Sequence, residues 1–131
     1  MADAAAKPAR PLRPKLAASL ILRRTRASGD TEILLGRRSG GHVFMPQKYV
    51  FPGGRVDRSD GFAPLAGEPK PHVRDTLRRV LSERRARAAL AAAIRETAEE
   101  TGLLVARPGA IANARPEWRP FAEAGALPDA A

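Results

Sequence analysis

The chain has 131 residues, enough for one domain and too few for two. It has no cysteine, which excludes disulfides, thiolate metal sites and a cysteine nucleophile, and which fits a reducing, cytoplasmic compartment. The formal charge of +9 favours phosphate-bearing partners, although a composition rich in Arg, Ala, Pro and Gly gives the same excess without one.

Residues 1–14 are rich in Ala and Pro, carry Lys7, Arg10 and Arg13, and lack the apolar stretch of a secretory signal. They read as a flexible basic tail ahead of a domain over residues 15–131. No apolar run approaches the roughly 20 residues of a membrane span. Leu16 to Arg24 and Glu32 to Arg37 are apolar-centred runs, and the turn cluster Ser28-Gly29-Asp30 between them predicts a β-hairpin. Residues 38–48, with Gly40-Gly41, His42 and Met45, read as loop. Tyr49-Val50-Phe51 is a short strand, broken by Pro52-Gly53-Gly54.

Residues 55–71 hold Asp57, Asp60, Gly61, Gly67 and three prolines and read as loop. Val73, Leu77, Val80 and Leu81 recur at helical spacing, with Arg on the opposite face. A second, Ala-rich helix is expected from about Ala88 to Thr101, closed by Gly102. Leu103-Leu104-Val105 opens a further strand. Arg107 to Ala131 is broken by Pro108, Pro116, Pro120 and Pro128, with Trp118 and Phe121 as its large apolar anchors. With 5% aromatics, the core is expected to be built from Leu, Ile, Val and Ala.

Glu96, Glu99 and Glu100 stand at i, i+3 and i+4, on one face of the second helix. Glu99 and Glu100 fall in its last turn, where the macrodipole disfavours each carboxylate by about 0.3–1 kcal/mol. A hard divalent cation relieves that cost, since Mg²⁺ and Mn²⁺ prefer oxygen ligands. An acidic, solvated helix face is the plain alternative for any such cluster.

The surrounding pattern adds to this. Arg95-Glu96, Glu99-Glu100 and Gly102-Leu103 match the end of the box of the Nudix hydrolases, and Phe51-Pro52-Gly53-Gly54 resembles the family's strand-to-loop passage ahead of it. Three positions depart from the box. Gly54 lies 41 residues before Arg95, a much longer interval than the family's; Arg87 stands where the family has its first Glu; and Thr97 takes the apolar position. The long insertion, at about 55–87, and the Val56-Asp57 that follows the glycines are similar to the coenzyme A diphosphatase-like subgroup.

The resemblance implies an α/β fold, an α/β/α sandwich with a mixed sheet. Only 29 residues follow Gly102, so the sheet is expected to be incomplete at its carboxy-terminal end, or completed by a swapped strand or a second copy in a homodimer. It also implies hydrolysis of the diphosphate linkage of a nucleoside diphosphate derivative, coenzyme A or acyl-coenzyme A among them. Mg²⁺ or Mn²⁺ would neutralise the diphosphate and activate a water. Glu96, Glu99, Glu100 and the Gly54 carbonyl would be the metal ligands, with Glu99, Glu100 and Arg95 as the catalytic set. Arg95 would pair with a carboxylate and hold the helix. No general base or substrate-binding residue is identified. A nucleic-acid-binding protein using the Arg-rich segment, from Arg74 to Arg87, is the rival class. Scarce aromatics and the lack of a reader motif argue against it. An inactive Nudix remnant that binds nucleotide is the third reading.

Overall fold

The structure is a computed structural model that describes residues 13–38, 41 and 47–131. Most of the basic tail, together with Gly40, His42 and Met45 of the expected loop, therefore lies outside the described residues.

The first apolar run divides in two. Strand β1 (Ala17–Ser19) pairs antiparallel with β6 (Gly53–Arg55), and Leu20 and Val56 extend this ladder by bonding to the carbonyls of Pro52 and Leu16. Strand β2 (Arg23–Thr25) forms the expected hairpin with β3 (Thr31–Ile33), closed by Arg26 N–H on the Asp30 carbonyl at 2.8 Å. Strands β4 (Gly36–Arg37) and β5 (Tyr49–Val50) pair across the segment between them.

Pro52-Gly53-Gly54 was expected to break the chain, yet Gly53 and Gly54 are strand. The reason is close approach: β6 lies between β1 and a helix, where side chains would collide. The loop after it contains a 3₁₀ turn, Arg58–Phe62.

The helical region is two helices, α1 (Pro71–Arg78) and α2 (Glu83–Thr101). Helix α2 starts earlier than its alanines suggested, because Ser82 caps it by accepting from Arg85 N–H. It ends as expected at Gly102, whose φ of 74° is left-handed and whose N–H bonds Ala98. Strand β7 (Ala106–Pro108) begins later than expected. Past a 3₁₀ turn (Pro116–Trp118) and the short α3 (Arg119–Glu123), a strand that the proline spacing concealed, β8 (Ala126–Pro128), pairs with it. Pro128 is tolerated in this two-stranded ladder, where one edge needs no donor.

The described strands thus form four antiparallel pairs, with one parallel bridge from Ala66 to Asp129. Helices and strands are mixed along the chain, an α/β fold. The core is largely alanine with Ile94, within the expected aliphatic set, but two aromatics join it. Trp118 and Phe121 are fully buried, their rings 5.5 Å apart at 56°, against Ala63, Ala91 and Ile94. Leu104, Val105 and Ile111 pack around them only partly buried. Five alanines of α2 from Ala88 to Ala93 are buried, and their small side chains let β1 and β6 lie close against the helix. Among the described residues, no helix is long and apolar enough to cross a membrane.

Candidate active site

Strand β6 runs along the carboxy-terminal half of α2 and supplies main chain to its acidic face. Gly53 N–H donates to Glu100 Oε2 at 3.1 Å. Gly54 lies flat under Glu96, where an added Cβ would stand 2.5 Å from the carboxyl carbon. A side chain there would push the Glu96 carboxylate aside. The arginine that precedes the acidic run then locks the two elements together.

Arg95 is 5% exposed and uses all five of its N–H donors. Nε and Nη2 grip Asp60 at 2.8 and 3.0 Å, a bidentate pair. Nη2 also donates to the Arg55 carbonyl at 3.2 Å. Nη1 is shared between Glu96 and Glu99, at 2.9 and 3.3 Å. Hydrogen bonding to Asp60 is the main reason the Arg95 pKa is raised above its usual value, and burial opposes it. Asp60 has no exposed surface; besides Arg95 it accepts Asp57 N–H at 2.8 Å, the bond that closes the 3₁₀ turn.

Asp60 is the residue whose role the sequence left open. It falls in a segment that reads as loop, and it serves the turn and Arg95 together. Arg87, where the resemblance expects a Glu, is not among the partners of Arg95. Arg87 instead donates to the Ala63 carbonyl at 3.1 Å. Thr97, at the apolar position, is fully buried with its hydroxyl satisfied by the Ala93 carbonyl at 2.7 Å.

The structure brings Glu96, Glu99, Glu100, Gly54 and Arg95 into one place, but it does not gather the three glutamates around a single point. Among the described residues, no group of three acidic or histidine side chains is arranged to hold a metal ion. Each carboxylate is drawn instead to a partner within the protein. Glu96 and Glu99 turn inward to Nη1 of Arg95, whereas Glu100 turns to the β6 backbone. The donors still suit a hard cation. Asp60, Glu96 and Glu99 surround one guanidinium, no basic residue lies in the last turn of α2, and Glu99 is half exposed, so it can turn outward. His72 takes no part in the site; its carbonyl accepts from Thr76 on α1.

No family model and no curated protein matches the chain. Among solved structures, it is similar to a Nudix hydrolase from Alicyclobacillus acidocaldarius, with 35% identity and a TM-score of 0.56. The match covers 71% of this chain and 39% of that one, so this chain spans well under half of the solved protein's length. The likeness agrees with the α/β fold and supports the Nudix family.

Proposed function

We propose that this chain, as a relative of the Nudix hydrolases, cleaves the diphosphate linkage of a nucleoside diphosphate derivative, with coenzyme A or acyl-coenzyme A as the first substrates to try. One observation carries this reading. A chain of net charge +9 concentrates Glu96, Glu99 and Glu100 at the negative end of its longest helix, against a glycine backbone. A solvated acidic face needs no such backing.

Glu96, Glu99 and Glu100, with the Gly54 carbonyl, would hold Mg²⁺ or Mn²⁺. Such a cation supplies charge neutralisation for the diphosphate and acidifies a water. The remaining work falls to the chain. Arg95 is a positioning residue: its donors are all committed to protein acceptors, and it fixes α2 against β6 and the 3₁₀ turn. Gly53 N–H keeps Glu100 beside the strand. Water adds to one phosphorus and the bridging P–O bond breaks, leaving two phosphate monoesters.

We take residues 15–131 as the unit that does this, with the insertion at about 55–87 supplying Asp60, and the cytoplasm as its compartment. The test is a panel of diphosphates, including coenzyme A and ADP-ribose, assayed with each metal for phosphate monoester products. Turnover of one of them that needs the metal supports the proposal. Binding without turnover across the panel would favour the inactive remnant.

A further inference from the structure

The Arg-rich segment does not form one solvated face. Arg84 and Arg85, in the first turn of α2, line a concave pocket of about 570 Å³ together with Lys15, Arg55 and Arg58. Among the described residues, Asp57 is the one carboxylate in its lining, and it lies 3.4 Å from Arg55. Leu16, Val56 and Ala88 floor it. Arg79, by contrast, lies outside this pocket on the exposed end of α1.

Two features make this more than a chance gathering of charge. Cations in a helix's first turn oppose the macrodipole, so Arg84 and Arg85 sit where an anion would relieve them. Arg84 is also held in place: its guanidinium lies 5.3 Å over the ring of Phe62, which is 63% exposed and serves no core. Among the described residues, Lys15, Arg58 and Arg85 have no carboxylate partner.

The pocket adjoins the acidic site. Arg55 belongs to both, its carbonyl accepting from Arg95 and its side chain lining the pocket. From Ala88 to Glu96 is about 12 Å along the helix at 1.5 Å per residue, within the span of a dinucleotide-sized ligand.

We infer that this pocket binds a phosphate group of the ligand, remote from the diphosphate linkage that the acidic site addresses. The inference rests on the proposed hydrolase only for its link to substrate; the anion site stands without it. Binding is therefore measured by calorimetry with EDTA present, where hydrolysis plays no part. The probes are inorganic tripolyphosphate and the pair NADPH and NADH, which differ by one phosphate.

Tripolyphosphate is expected to bind wild-type protein, more weakly at higher salt. Arg58→Gln/Arg85→Gln should weaken it at least about tenfold, corresponding to 1.4 kcal/mol. Arg79→Gln and Glu100→Gln should leave it within about twofold. NADPH binding tighter than NADH, with the difference lost in the double variant, assigns the phosphate to a substrate arm; equal binding of the two assigns it to a free anion. Absent tripolyphosphate binding, or equal weakening by Arg79→Gln, overturns the inference. Unchanged melting of the double variant guards against misfolding.

Discussion

Asp60 and Arg95, 35 residues apart in sequence, share two hydrogen bonds of 2.8 and 3.0 Å in a place closed to solvent. The pair fastens the long insertion to the helix that carries the acidic face. Removing one partner leaves the other charged and buried, which costs about 3–5 kcal/mol. Asp60→Ala is thus expected to lower stability by that amount in chemical denaturation, and Asp60→Ala/Arg95→Met to recover part of it. A loss under about 1 kcal/mol would mean the pair is not buried in solution.

A side chain at Gly54 is predicted to displace the Glu96 carboxylate. An added Cβ would meet the Glu96 carboxyl at 2.5 Å, so either the strand or the glutamate must move. Gly54→Ala should cost about 1–3 kcal/mol of stability. It should also weaken any metal response, because Glu96 is displaced. A wild-type metal titration from this variant would contradict the placement of β6 under Glu96.

A pH dependence follows from the closing ladder. Arg107 donates to both oxygens of Asp129, at 3.0 and 2.8 Å, and this holds the Asp129 carboxyl below its usual pKa. A carboxyl with a depressed folded pKa contributes stability above its unfolded value, near 3.9 for Asp, and loses it as pH falls through the folded one. The melting difference between wild type and Asp129→Asn should therefore be present at pH 6 and vanish at low acid pH. A difference that grows on acidification would reverse the sign and refute the pairing.

Divalent cations are expected to stabilise the fold. Ligands that bind only the folded state raise stability by about 2.7 kcal/mol at a hundred times Kd. Scanning calorimetry should show the melting temperature rising with Mg²⁺ or Mn²⁺, and Glu99→Gln/Glu100→Gln should abolish the rise. The same rise in the double variant would place the cation elsewhere.

Much of this site was legible because it is local. Glu96, Glu99, Glu100 and Gly102 lie within one helix and its cap, where spacing alone sets the face. The hairpin of β2 and β3 was legible for the same reason, through its turn residues. The partners that hold the site were not, because they come from distant chain. Asp60 reads only as part of a loop, and its role shows once Arg95 lies over it. Gly53 and Gly54 looked like a strand breaker, and only the facing Ser19 and Glu96 explain why glycine is strand there. The core was legible in part: alanines and Ile94 fill most of it, whereas the part of Trp118 and Phe121, from a proline-rich segment, was not.

The most direct measurement is the turnover of a diphosphate substrate by wild type, Glu100→Gln and Arg87→Ala under saturating metal. Losing a ligand that stabilises transition-state charge should lower kcat at least about a hundredfold in Glu100→Gln. Arg87→Ala removes a hydrogen bond to the Ala63 carbonyl, well away from the acidic face, and should leave kcat within about twofold. Equal losses in the two variants, or full activity in Glu100→Gln, would contradict the assignment of this helix face as the reacting site.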